Sequence, residues 1–100
     1  MQDTEYFPSI HTRCYPYNGQ ICSLYEIGSN LSHTHLSKIV KSLQSQGYPI
    51  SSLEFYEYGK SNALRHLSIK LEGKEKSVPY FLLNRELWLA IISELTKKHN

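Results

Sequence analysis

Two histidines stand one residue apart in Ser32-His33-Thr34-His35, and two cysteines frame Cys14-Tyr15-Pro16-Tyr17-Asn18-Gly19-Gln20-Ile21-Cys22. Either pair would do chemistry if its side chains converged: imidazoles on a metal ion or a shared proton, thiols as a disulfide or a soft-metal site. Convergence depends on the elements that carry them. Leu36, Ile39, Val40 and Leu43 recur at the helical interval. Ser32 is placed to cap that helix, with Leu31 and Leu36 as the staple around the cap. Gly47 and then Pro49 end the run. His33 and His35 therefore fall in a first helical turn, about 200° apart around the axis. A helical metal pair needs a His-x-x-x-His interval, which is absent.

The cysteines are separated by their turn. Asn18-Gly19 between extended segments marks a two-residue hairpin loop with positive φ at both positions. That loop sets Tyr17 opposite Gln20, Pro16 opposite Ile21, Tyr15 opposite Cys22 and Cys14 opposite Ser23. Opposed residues share a face and neighbours alternate, so the thiols point to opposite faces and a disulfide is not expected. Free thiols fit a reducing compartment, and the expected location is cytoplasmic. The pattern predicts hairpin strands over 10–17 and 20–27, after a flexible polar lead, 1–9.

A third constellation centres on His66. Residues 50–58, 63–72 and 77–83 alternate as three strands joined by short turns at 59–62 and 73–76. A loop at 60–62 sets Phe55 against Leu67, Leu53 against Ile69 and Glu57 against Arg65, which pairs apolar with apolar and opposite charges together. A loop at 73–76 sets Leu71 against Val78 and Ile69 against Tyr80. On the other face Tyr56 opposes His66, Glu54 opposes Ser68 and Lys70 lies diagonal to Glu54. Tyr58 and Phe81 flank them, and Arg13, Tyr15 and Tyr17 join if the first hairpin extends the sheet. Pro79 cannot donate to a ladder, so the third strand is expected at an edge or bulge. The last element, capped by Asn84, buries Leu87, Trp88, Ile91, Ile92 and Leu95.

The element order β-β-α-β-β-β-α implies one α+β domain over residues 1–100, a two-layer sandwich with two helices on one face of an antiparallel sheet. The first hairpin either extends that sheet or folds across it. Residues 32–98, running α-β-β-β-α, resemble in element order the double-stranded RNA-binding domains and small toxin nucleases built like them. The second helix begins Asn84-Arg85-Glu86-Leu87, without the lysine cluster typical of the former. Leu64-Arg65-His66-Leu67 offers one histidine where the latter present adjacent ones. The likeness is one of order and carries no residue role.

A chain of 100 residues with 40% hydrophobic and 20% charged residues is ordinary for a folded domain, and its formal charge of +2 is mild for a nucleic-acid binder. No apolar run reaches the length of about 18–20 residues that crosses a bilayer. Tyrosine is the outlier, with eight copies, and tyrosine suits recognition surfaces. Gly-rich phosphate loops, Cys-x-x-Cys and Gly-x-Ser-x-Gly are all absent, so no catalytic residue, metal or cofactor is expected. The expected function is a small non-enzymatic protein-binding module, an inhibitor, adaptor or regulatory subunit. Its surface would comprise Arg13, Tyr15, Tyr17, Tyr56, Tyr58, His66, Lys70 and Phe81, with a homodimer as the simplest version. The alternative is RNA or DNA binding through the same face with Lys38, Lys41, Lys60, Lys74 and Lys76. A third reading is a small nuclease or hydrolase built on His66 with Glu54, Ser68 or Tyr56.

Overall fold

The computed structural model describes residues 10–57, 59 and 65–97. Strands β1 (Cys14–Tyr17) and β2 (Gln20–Ser23) form the expected hairpin in the expected register, but the first strand begins at Cys14 and not at residue 10, because residues 10–12 form a turn. Asn18 and Gly19 adopt φ of 52° and 76°, as a two-residue loop matched to strand twist requires.

Alternation predicts that the second strand runs on to Ile27; instead it stops at Ser23, and a helix, α1 (Leu24–Ser29), follows. The cause is local. The Ser23 hydroxyl accepts the Glu26 N–H at 3.2 Å, while the Glu26 carboxylate accepts the Ser23 N–H at 2.8 Å. This reciprocal capping box satisfies amides that a helix start leaves without partners. Those two bonds draw the Glu26 carboxyl below its usual range. The short helix buries Leu24, Tyr25, Ile27 and Gly28. Gly28 matters sterically, because a Cβ there would lie 2.1 Å from the Phe55 ring.

Helix α2 (His33–Ser45) follows the sequence reading closely. Ser32 caps it, its hydroxyl accepting the His35 N–H at 3.1 Å, and Leu36, Ile39, Val40 and Leu43 are buried. Gly47 takes a φ of 94° beyond its end. Strands β3 (Ile50–Glu57) and β4 (Arg65–Leu71) then pair as expected from Leu53 opposite Ile69 to Glu57 opposite Arg65, with an irregularity between Ile50 and Ser52.

The expected third strand of this meander shrinks to one bridge. Val78 pairs with Ile69, not with Leu71, its N–H donating to the Ile69 carbonyl at 2.7 Å. Pro79 has no amide with which to continue the ladder, and Tyr80–Leu82 close into a 3₁₀ turn. The α-β-β-β-α order read from the sequence thus reduces to α-β-β-α with a single bridging residue. Helix α3 (Arg85–Thr96) starts at Asn84, whose side chain accepts the Glu86 and Leu87 N–H groups at 2.8 and 3.3 Å.

The result is an α+β domain of two separate two-stranded antiparallel sheets and a helical layer. Helices α1 and α2 cover the Leu53, Phe55, Leu67 and Ile69 face of β3–β4, and α3 packs behind them on α1, α2 and β1. The first hairpin joins this helical side and does not extend the β3–β4 sheet. Trp88, Leu24, Leu43, Ile69 and Ile91 are sealed at the centre. Glu94 is buried on α3. Burial pushes its carboxyl up, but hydrogen bonds from Lys97, Ser42 and Gln46 outweigh that and hold it below the usual range. This carboxylate therefore clasps α3 to the end of α2.

Candidate functional site

With one face of β3–β4 under helices, the opposite face carries Glu54, Tyr56, His66, Ser68 and Lys70. Tyr56 is directly across from His66, their rings 5.7 Å apart and inclined by 35°. Tyr56 keeps 36% of its surface and Phe81 keeps 53%. The first hairpin does not lie over them.

Beside this face, along the outer edge of β4, a cleft of about 420 Å³ opens. Its floor is Arg65 to Ser68, its far wall is Ser77 to Phe81, and Ile10 with His11 closes one end. Each wall has a mechanical reason to stay in place. The His11 Nε2 donates to the Arg65 carbonyl at 3.1 Å, and the Tyr25 N–H donates to the Ile10 carbonyl at 3.0 Å. Tyr80 stacks on Trp88 with ring centres 5.0 Å apart. Burial raises the Tyr80 hydroxyl pKa above its usual value, against a smaller opposing effect of its hydrogen bond to the Ile10 backbone. Ser68 and Ser77 share a hydrogen bond of 2.7 Å across the cleft wall.

His11, Arg65 and His66 line the cleft, and no carboxylate does so among the described residues. Arg65 is itself balanced: its Nε donates to Glu57 at 2.8 Å, and its guanidinium lies 5.4 Å from the Tyr25 ring centre. Burial, then the Glu57 charge, raise the Tyr25 hydroxyl pKa, and Arg65 opposes them.

The residues expected to share one surface divide into two groups. Tyr56, His66 and Phe81 meet at the cleft, and exposed Lys70 stands on the same sheet face, opposite Ser52. Tyr15 and Tyr17 turn inward and pack against the core, and Arg13 lies 5.9 Å from the Tyr15 ring centre on the first hairpin. Tyr58 lies outside the described residues. Sequence reasoning missed His11, Tyr80 and Ser77 as cleft residues. No periodicity marks them, because they arrive from segments distant in the chain.

The lysines invoked for nucleic-acid binding are also divided. Lys38 and Lys41 lie on α2, on the helical side; Lys74 and Lys76 lie in the turn after β4; Lys60 is outside the described residues. His33 and His35 sit in the first turn of α2, and no trio of His, Cys, Asp or Glu able to hold a metal ion occurs among the described residues. Cys14 and Cys22 are free thiols. No helix among the described residues is long and apolar enough to cross a membrane. Comparison with protein-family models, with curated proteins and with solved structures finds no match for this chain.

Proposed function

We propose that this chain is a small non-enzymatic protein-binding module, an inhibitor, adaptor or regulatory subunit, that engages its partner through the cleft at the β4 edge and the aromatic sheet face beside it. One observation carries the reading: Tyr56, His66 and Phe81 come from three segments to one open concavity, while the opposite face of the same strands is buried under helices. Aromatic rings around a cleft are the usual anchors of protein recognition. The dispersal of the lysines favours a protein over a nucleic acid, which would call for a basic stripe.

Affinity capture from lysate of the source organism, with and without nuclease, tests this reading. The wild-type chain is expected to retain a partner after nuclease treatment, and the Tyr56→Ala/Phe81→Ala variant is expected to lose it while keeping its circular dichroism and melting temperature. Capture abolished by nuclease would transfer the surface to nucleic-acid binding. Capture indifferent to the double substitution would remove this face from the function. Sedimentation velocity separates a second copy of the chain from a different partner.

A further inference from the structure

On the side away from β4, β3 is a sheet edge, since its sheet holds those two strands alone. In an antiparallel pair each residue directs its N–H and C=O together to one side, and the side alternates along the strand. The Ile69 carbonyl accepts from Val78, so it points away from β3, and Leu53 opposite it points away from β4. Phe55 and Glu57 share the parity of Leu53. All three therefore present their N–H and C=O to the outer side of β3, where no backbone hydrogen bond meets them among the described residues. Two clefts mark where the helical layer stands back from this edge. One, of about 220 Å³, separates α2 from Ser51–Glu54, with His33, Ser37 and Lys41 on its helical wall. The other, of about 430 Å³, lies beside Phe55–Glu57, with Glu26, Ser29 and Asn30 on its wall. Their charges are opposite in sign. Helix α2 carries Lys38 and Lys41 and neither Asp nor Glu. The second cleft holds exposed Glu26, and Glu57 with its partner Arg65.

We infer that the outer edge of β3 pairs with the same edge of a second copy of this chain, antiparallel about a two-fold axis at Phe55, giving a four-stranded sheet β4–β3–β3–β4. The register follows by elimination. An axis at Leu53 drives the new ladder into the irregularity between Ile50 and Ser52. An axis at Glu54 sets two carboxylates directly opposite at the closest cross-strand spacing, Cα atoms about 4.5 Å apart. An axis at Phe55 avoids both. It pairs Phe55 with its counterpart, Leu53 with Glu57 of the second copy, and Glu54 with Tyr56 of the second copy. The three pairs formed by residues 53, 55 and 57 then exchange about six backbone hydrogen bonds. The same rotation lays the α2 cleft of each copy against the Glu26 cleft of the other, so Lys41 approaches a carboxylate on both sides of the axis. Each copy thus carries both halves of the contact, as an isologous interface requires. That self-complementarity identifies the occupant as a second copy. Pairing also closes a row of open backbone groups that would otherwise template aggregation. The cleft at the β4 edge lies outside this interface, so the inference is independent of the proposed partner.

Three measurements on the full chain test the interface. Sedimentation equilibrium at low salt should show a monomer–dimer equilibrium, and Lys41→Glu should weaken it about tenfold by making two exposed contacts repulsive. Amide exchange should slow with rising protein concentration at Leu53 and Phe55, but not at Glu54, whose amide β4 already holds. Cross-linking reads the register. In a Cys14→Ser/Cys22→Ser background, Glu54→Cys and Tyr56→Cys are mixed in a glutathione redox buffer. The mixture should give a disulfide-linked dimer of the two variants, because that pair lies within the Cα separation a disulfide spans. Each variant alone should stay monomeric after denaturation. Circular dichroism matching wild type confirms that the variants fold. A chain that stays monomeric up to about 1 mM, the weak end of specific association, overturns the inference. A dimer whose Leu53 and Phe55 amides exchange independently of concentration overturns it in favour of another surface. A dimer that Lys41→Glu leaves unchanged overturns the facing of the two clefts. Self-linkage of Glu54→Cys in preference to the mixed product overturns the axis at Phe55.

Discussion

Tyr15 and Tyr56 hold similar positions in two antiparallel hairpins, one across from Cys22 and the other across from His66. Tyr15 packs against the core, whereas Tyr56 faces away from it and rims the cleft. The residue type is identical and the local conformation nearly so. What differs is parity relative to the helical layer: in β1–β2 the outward side carries Cys14, Pro16 and Ile21, with Ile21 at 70% exposure, and in β3–β4 it carries the ring-bearing pair. A tyrosine-rich composition therefore says little about recognition until each ring is assigned a side.

Substitutions can break or sharpen this contrast. The largest effect is expected from Tyr15→Ala combined with Tyr17→Ala, which removes two half-buried rings from the core side and should cost about 3 kcal/mol in urea denaturation. A loss comparable to that of a surface change would mean that the two hairpins do not differ as described. Next, Gly28→Ala drives a methyl group into the Phe55 ring at the join between α1 and β3, and about 2 kcal/mol of overpacking is expected. The Gly28→Ala/Phe55→Leu pair should show a favourable coupling in a double-mutant cycle. Ser23→Ala removes the cap that ends β2 and starts α1, for about 1 kcal/mol.

Acid supplies a fourth test. Because Glu94 titrates below its ordinary value of 4.5 in the folded chain, it binds fewer protons folded than unfolded. Its stabilisation is complete above that ordinary value and disappears as pH falls through the lower, folded one. Glu94→Gln should therefore flatten the fall in melting temperature between about pH 6 and about pH 3. The smallest stability change belongs to Tyr56→Ala, expected within about 0.5 kcal/mol of wild type. Placed beside the Tyr15/Tyr17 result, it isolates the outward ring as dispensable for folding.

Much of this architecture is legible before any coordinates. The first hairpin's register follows from its two-residue loop, the β3–β4 register agrees with apolar matching while the loop expected at 60–62 lies outside the described residues, and α2 and α3 follow from Ser32, Asn84 and their buried stripes, because these signals act over only a few residues. The failures are instructive. Residues 20–27 satisfy strand alternation, yet Ser23-Leu24-Tyr25-Glu26 spells a capping box, and two reciprocal hydrogen bonds outweighed a period-two pattern. Residues 77–83 alternate as well, but a single missing amide at Pro79 stopped the ladder. The candidate site was half readable: the Tyr56–His66 pair follows from register. The cleft does not, since Ile10 and His11 reach Arg65 across more than half the chain and no local pattern encodes that approach.

One aromatic stack has an experimental consequence. Trp88 is the only indole in the chain; it is shut away from solvent and lies against Tyr80, whose other surroundings include the cleft. Any occupant that displaces Tyr80 changes the environment of a single chromophore. The protein thus carries its own optical gauge, one ring removed from the cavity, and changes in its emission can follow occupancy of the unlabelled wild-type chain.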